Sequence, residues 1–254
     1  SMLEATGATV EGCVNYGDIE VLNTGEPAAK SCVIGGLVGK FDYEGSIINC
    51  ENRGNITNEH IGVRGIGGII GDTNAKPLDI TPTIKGTDNY GAIYLNNSVT
   101  EIFAGGIVGR FVGGIIDDCE NNGEFHLFSE DVKLYYGGIA GRFVNDIKTE
   151  AGAWALTKES KILNCKNNAS ALFKCDIKAV AGNDIRLAGM FNTEGNGTAA
   201  LTLSGCHNYA PFTISHPKIR CLGGIGGGVA AKTMPVTITD CHNHGALTVD
   251  VEPQ

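Results

Sequence analysis

A solenoid of stacked parallel β-strands is the fold class this 254-residue sequence predicts, and three features predict it. A two-part motif recurs along the chain, one asparagine column runs through every copy, and the apolar runs between them are short and punctuated by Gly and Asn. Self-similarity at a period of about 40 residues marks a repeat architecture. Short apolar runs bounded by turn residues read as strands, and only Thr149 to Lys161 keeps a helical period.

The unit is clearest in GGIVGRFVGGIIDDCENNGEFHL, from Gly105 to Leu127. Its first half recurs as Gly35-Gly36-Leu37, Gly67-Gly68-Ile69, Gly105-Gly106-Ile107, Gly137-Gly138-Ile139, the degraded Ala188-Gly189-Met190, and Gly223-Gly224-Ile225. Its second half carries a sulfur or hydroxyl column of Cys13, Cys50, Thr87, Cys119, Cys165, Cys206 and Cys241. Two residues on stand Asn15, Asn52, Asn89, Asn121, Asn167, Asn208 and Asn243. Four on stand Gly17, Gly54, Gly91, Gly123, Ala169, Ala210 and Gly245; three before stands an aliphatic, from Val10 to Ile238. The spacing between copies is uneven, so a fixed frame carries variable loops.

In a parallel solenoid each residue lies about 4.8 Å above its counterpart in the coil below, so like residues form ladders. Stacked asparagines can bond one another, and Asn also tolerates the left-handed backbone of a sharp turn, where this reading places the column. Cysteines stacked in register have parallel Cβ vectors about 4.8 Å apart, whereas a disulfide needs them converging near about 3.8 Å. Free thiols acting as small hydrophobes are therefore expected for Cys13, Cys50, Cys119, Cys165, Cys206 and Cys241.

Taken in order, residues 3 to 34 form an incomplete first coil. Coils follow from 35, 67, 105, 137, 188 and 223, giving roughly six, each with three short strands. Residues 1–254 read as one β-helix domain excised from a longer chain. The largest insertion, 145–161, has helix-forming content and the only tryptophan, Trp154. A propeller is the rival plan, but its blade signatures are missing.

The motif resembles the GLUG repeat of bacterial surface and secreted proteins. Gly35 to Gly39, GGLVG, matches it literally, and the copies at Gly67, Gly105 and Gly137 carry Ile for Leu. The resemblance covers nearly the whole chain and is weakest from Thr149 to Thr198. It implies a right-handed parallel β-helix like the pectate-lyase superfamily, on exported proteins often described as adhesins, and it implies no catalytic residues or cofactor. An extracellular or cell-surface location and a glycan or host-protein partner follow from it.

Composition limits the function further. The formal charge of -9 argues against nucleic acid, because no basic face is visible along the chain. No apolar run is long enough to span a membrane. Ser1-Met2 reads as a cloning remnant, so the missing leader says nothing of export. GIGGGVAAKT, from Gly224, lacks the Gly before Lys-Thr that a phosphate loop needs. His207, His242 and His244 cluster near the C-terminus as exposed turn residues rather than a metal site. Asp117-Asp118 is the only adjacent acidic pair in the repeat, and neighbours on a strand face opposite ways.

The remaining candidates are Arg110 and Arg142, in a column that reads Lys40, Asp72, Arg110, Arg142, Thr193. One coil apart, two arginines either splay into water or share an anion. The functional reading is an acidic-glycan contact, with Trp154 offering a stacking face. The leading function is a non-enzymatic adhesion or ligand-binding module; a carbohydrate-active β-helix enzyme and a passive stalk are the alternatives.

Overall fold

The computed structural model describes residues 2–3, 7–22, 32–42, 44–60, 62–74, 81–96, 101–128, 133–144, 159–175, 184–195, 199–214, 219–231 and 234–249. Among them every regular element is a β-strand, arranged in five parallel sheets. The most regular coil holds five strands: Ile102–Gly105, Val108–Val112, Ile115–Asp117, Glu120–Asn121 and Phe125–Leu127. The corresponding faces of the stack are numbered walls 1 to 5. Walls 2 to 5 are 7 strands deep and wall 1 is 6 deep. The sequence reading counted three strands per coil. The chain makes five because the Gly-Gly step divides one apolar run into two strands, and the asparagine itself lies in a two-residue strand.

Register is strict where the columns were clear. Ile84 lies over Ile116 and Ile116 over Ile162; Asn89 lies over Asn121 and Asn121 over Asn167. Each asparagine amide donates to the next carbonyl oxygen: Asn15 to Asn52 at 2.9 Å, Asn52 to Asn89 at 2.9 Å, Asn89 to Asn121 at 3.0 Å. The chain of bonds continues from Asn121 to Asn167 at 2.9 Å, to Asn208 at 2.8 Å and to Asn243 at 2.7 Å. Asn52, Asn89, Asn121, Asn167 and Asn208 are buried, so each orphaned amide would cost about 1–3 kcal/mol.

The left-handed residues are not the asparagines of this ladder. They stand one place before the cysteine column: Gly12, Asn49, Gly86, Asp118, Asn164, Gly205 and Asp240 all have φ between 51° and 65°. Gly, Asn and Asp are the residues that tolerate this backbone, and every coil places one of them there. Two further alignments shift. After Asn167 the chain takes two extra residues, so Ala171, not Ala169, is the residue two before Phe173, which pairs with Phe125. A bulge at Asn192 moves Thr193 inward, over Phe143, and out of the charged column.

The apolar interior is divided in two. One chamber, behind walls 2 and 3, holds Val108, Phe111, Ile116 and Cys119 with their counterparts. The other, behind walls 1 and 5, holds Ile66, Ile102, Phe125, Leu127 and Tyr136. Between them the coil is pinched: a Cβ at Gly106 would fall 2.1 Å from Asn121 Cγ, and one at Gly138 2.3 Å from Asn167 Cγ. This contact explains why the two halves of the motif travel together. The second glycine of one half makes room for the asparagine of the other.

The column thiols are free; Cys50, Cys119, Cys165 and Cys206 are buried, Cys241 is half-buried and Cys13 exposed. Burial pushes the Cys50 and Cys165 thiols up, which keeps them protonated hydrophobes.

Candidate functional site

Walls 1 and 2 double back on each other at the Gly-Gly step. Their backbones touch deep in the fold, where a Cβ on Gly141 would lie 2.5 Å from the carbonyl oxygen of Ala104. Farther from the step the two outward faces part and form a cleft. It opens as a pocket of about 360 Å³ lined from wall 1 by Val33, Arg64, Gly65 and Phe103, from wall 2 by Asp72, Arg110 and Arg142, and by Glu101 and Val144.

Strand register sets the charges. Lys40, Asp72, Arg110 and Arg142 follow one another on adjacent strands of wall 2. On the opposing lip, Arg64 meets Glu101 at 3.3 Å, Lys133 meets Glu101 at 2.8 Å, and Arg220 meets Asp184 at 2.9 Å. Both rows alternate in sign until Arg110 and Arg142, which are direct neighbours.

Neither arginine splays into water. Arg110 donates to Asp72 Oδ2 at 3.0 Å, with side-chain exposures of 26% and 8%. Arg142, 12% exposed, crosses the cleft so that its guanidinium lies 5.1 Å from the ring centre of Phe103 and 5.0 Å from that of Tyr135. One Arg142 nitrogen stands 4.0 Å from Glu101 Oε1, so a single carboxylate faces three cations. Stacking on two rings and burial hold the guanidinium where it is, aimed along the pocket wall.

One end of the cleft is filled. The Arg186 guanidinium covers Tyr135 at 4.7 Å and pairs with Asp184, while Asn192 donates to the carbonyl oxygens of Tyr136 and Gly141. Asn192 stands where Gly141 leaves room in the coil before, which closes the cleft one coil beyond the pocket.

The sequence reading brought Arg110 and Arg142 together, and the structure places both on the pocket. It missed Arg64, Asp72's pairing role, Glu101 and Phe103; Glu101 and Arg64 sit at the start of wall 1, in no repeated column. Trp154 lies outside the described residues, as does the insertion from 145 to 158. The strand Ser160–Leu163 shows that this spacer ends at Glu159, two residues short of the 145–161 reading, and it leaves the chain beside pocket-lining Val144.

Other candidates resolve as structure. Asp118 is exposed and occupies a left-handed position, while Asp117 pairs with Lys85 at 3.1 Å and accepts from Asn164. Gly224 faces Asn243 at the pinch, and Lys232 and Thr233 lie outside the described residues. His207, His242 and His244 stack at 5.1–6.1 Å, and among the described residues no group of His, Cys, Asp or Glu is arranged to hold a metal ion. No helix among the described residues is long and apolar enough to cross a membrane.

Protein-family models, curated proteins and solved structures were all compared with this chain, and none matches it.

Proposed function

We propose that this chain is a non-enzymatic ligand-binding module of a bacterial cell-surface protein, of the kind built on GLUG repeats, and that the cleft between walls 1 and 2 is where it binds. The observation that carries this reading is a pocket in which Arg64, Arg110 and Arg142 converge on Asp72 and Glu101. Cationic forks in a half-buried cleft suit recognition of a polar ligand, and aromatic and aliphatic walls suit its apolar face. The two carboxylates are held in ion pairs, which makes them poor candidates for proton transfer and favours binding over hydrolysis.

The arrangement of spacers supports the same reading. Gly35 to Val38, Gly67 to Ile70, Gly105 to Val108 and Gly137 to Ala140 keep one constant step at the cleft's base. Lengths vary instead where wall 2 leads to wall 3 and wall 5 leads to wall 1, as between Val112 and Ile115 against Phe143 and Ser160. Both variable corners border the cleft, and binding surfaces are commonly built from loops on a rigid frame.

A glycan and host-protein array tests the proposal, using the intact chain, Arg110→Gln, and a chain in which residues 145–159 are replaced by the Gly-Gly that turns the same corner at Gly113 and Gly114. A signal lost in either variant supports the reading. A signal that survives in both places the binding elsewhere.

A further inference from the structure

We infer that the pocket recognises its ligand through a carboxylate on a sugar ring, bridged by Arg110 and Arg142. The inference rests on the cleft being the binding site and adds the chemical class of what enters it.

Three observations carry it. Arg110 and Arg142 are Cα partners on adjacent strands, and this is the one place where the alternation of charge along the cleft breaks. Like charges directly opposite on a sheet are unfavourable, and here neither side chain relieves the contact by swinging outward. Excess positive charge is thereby held in place: the lining has three guanidinium groups against two carboxylates, and Glu101 also serves Lys133. An incoming oxyanion would restore the alternation.

Geometry selects the class of anion. Guanidinium forks match the planar two-oxygen edge of a carboxylate, and two forks on neighbouring strands can each take one oxygen. The rest of the lining is Val33, Gly65, Phe103 and Val144, a surface suited to the C–H face of a pyranose rather than to a second charge. The volume of about 360 Å³ admits a small ring and falls in the range of specific small-molecule sites. A polyphosphate or nucleic acid would need further cations beyond the pocket, but Arg186 is buried against Tyr135 and committed to Asp184.

Calorimetric titration of the intact protein at low ionic strength, with glucuronate, glucose and inorganic sulfate as separate probes, tests this. Glucuronate should bind, glucose should not at the same concentrations, and sulfate should bind more weakly than glucuronate. Arg110→Gln and Arg142→Lys should each weaken glucuronate binding about 10- to 100-fold, the second because it keeps the charge and loses the fork. Unchanged melting temperatures would show that both variants fold. Failure of glucuronate to bind, equal binding of glucose, sulfate binding as tightly as glucuronate, or unchanged affinity in both variants would each overturn the inference. Neutral glycans that bind on the array and are lost in Arg110→Gln would leave the cleft standing as the site while this inference falls.

Discussion

The coil around Gly105 to Leu127 and the last coil, from Ile219 to Val249, are written in the same motif and have different burial. Ile116 is 0% exposed and its counterpart Ile238 is 44%; Phe125 is 1% and its counterpart Leu247 is 38%. Asn121 is buried and Asn243 exposed, though both belong to one hydrogen-bonded column. The strands themselves are alike. What differs is that one coil has neighbours on both sides and the other on one, so the motif stabilises a coil chiefly through the coil next to it.

That comparison can be tested by paired substitutions, each made in a middle and in the last coil and read as the shift of a urea unfolding transition. The largest effect belongs to the pinch. Gly138→Val drives a side chain into Asn167 and the facing backbone, and more than about 4 kcal/mol should be lost; Gly224→Val should cost clearly less, because Asn243 can give way. Next, Ile116→Ala should cost about 2–5 kcal/mol and Ile238→Ala under about 1 kcal/mol. Equal losses at the two sites would end the nearest-neighbour account.

Smaller again, Asn121→Ala leaves the Asn89 amide and the Asn167 carbonyl without each other's link, at about 1–3 kcal/mol, whereas Asn243→Ala strands only an end group and should fall within about 1 kcal/mol. The smallest effect is at Asp88, stacked beside Glu51 and Glu120 on wall 4. Burial, reinforced by Glu120, Glu51 and Asp118, raises its carboxyl above the ordinary value, against the bond it accepts from the Glu120 amide. A raised acid favours the folded state while protonated and loses that contribution as pH climbs past its folded value. Asp88→Asn should therefore stabilise by up to about 0.5 kcal/mol at neutral pH, with the gain vanishing below the usual carboxylate range. A gain that grew toward acid pH would contradict the assigned cause.

The same contrast explains what was legible in the sequence. Inward columns repeat because each residue must fit its own copy above and below, so the asparagines, the aliphatics and the glycine pairs could be read directly. The left-handed column was equally regular but split among Gly, Asn and Asp, so it did not register as one position. Ala171 and Thr193 were misplaced because two extra residues and a bulge change register without changing residue type. The cleft could not be read at all. It depends on two outward faces opposing each other, and outward residues such as Glu101, Phe103 and Arg64 obey no ladder. For the same reason a cationic strip went unseen in a chain of net charge -9: its members come from different coils and are gathered only by register.

The division of the interior into two chambers has a mechanical consequence. A tube with a single lumen flattens under sideways load, whereas here Gly106, Gly138 and their counterparts already rest on the asparagine file opposite, leaving no gap to collapse. The molecule is in effect braced along its length by an internal rib. Force along its axis or across it would be carried by hydrogen-bonded amides, and the lips of the cleft could be re-lengthened or exchanged without touching that support.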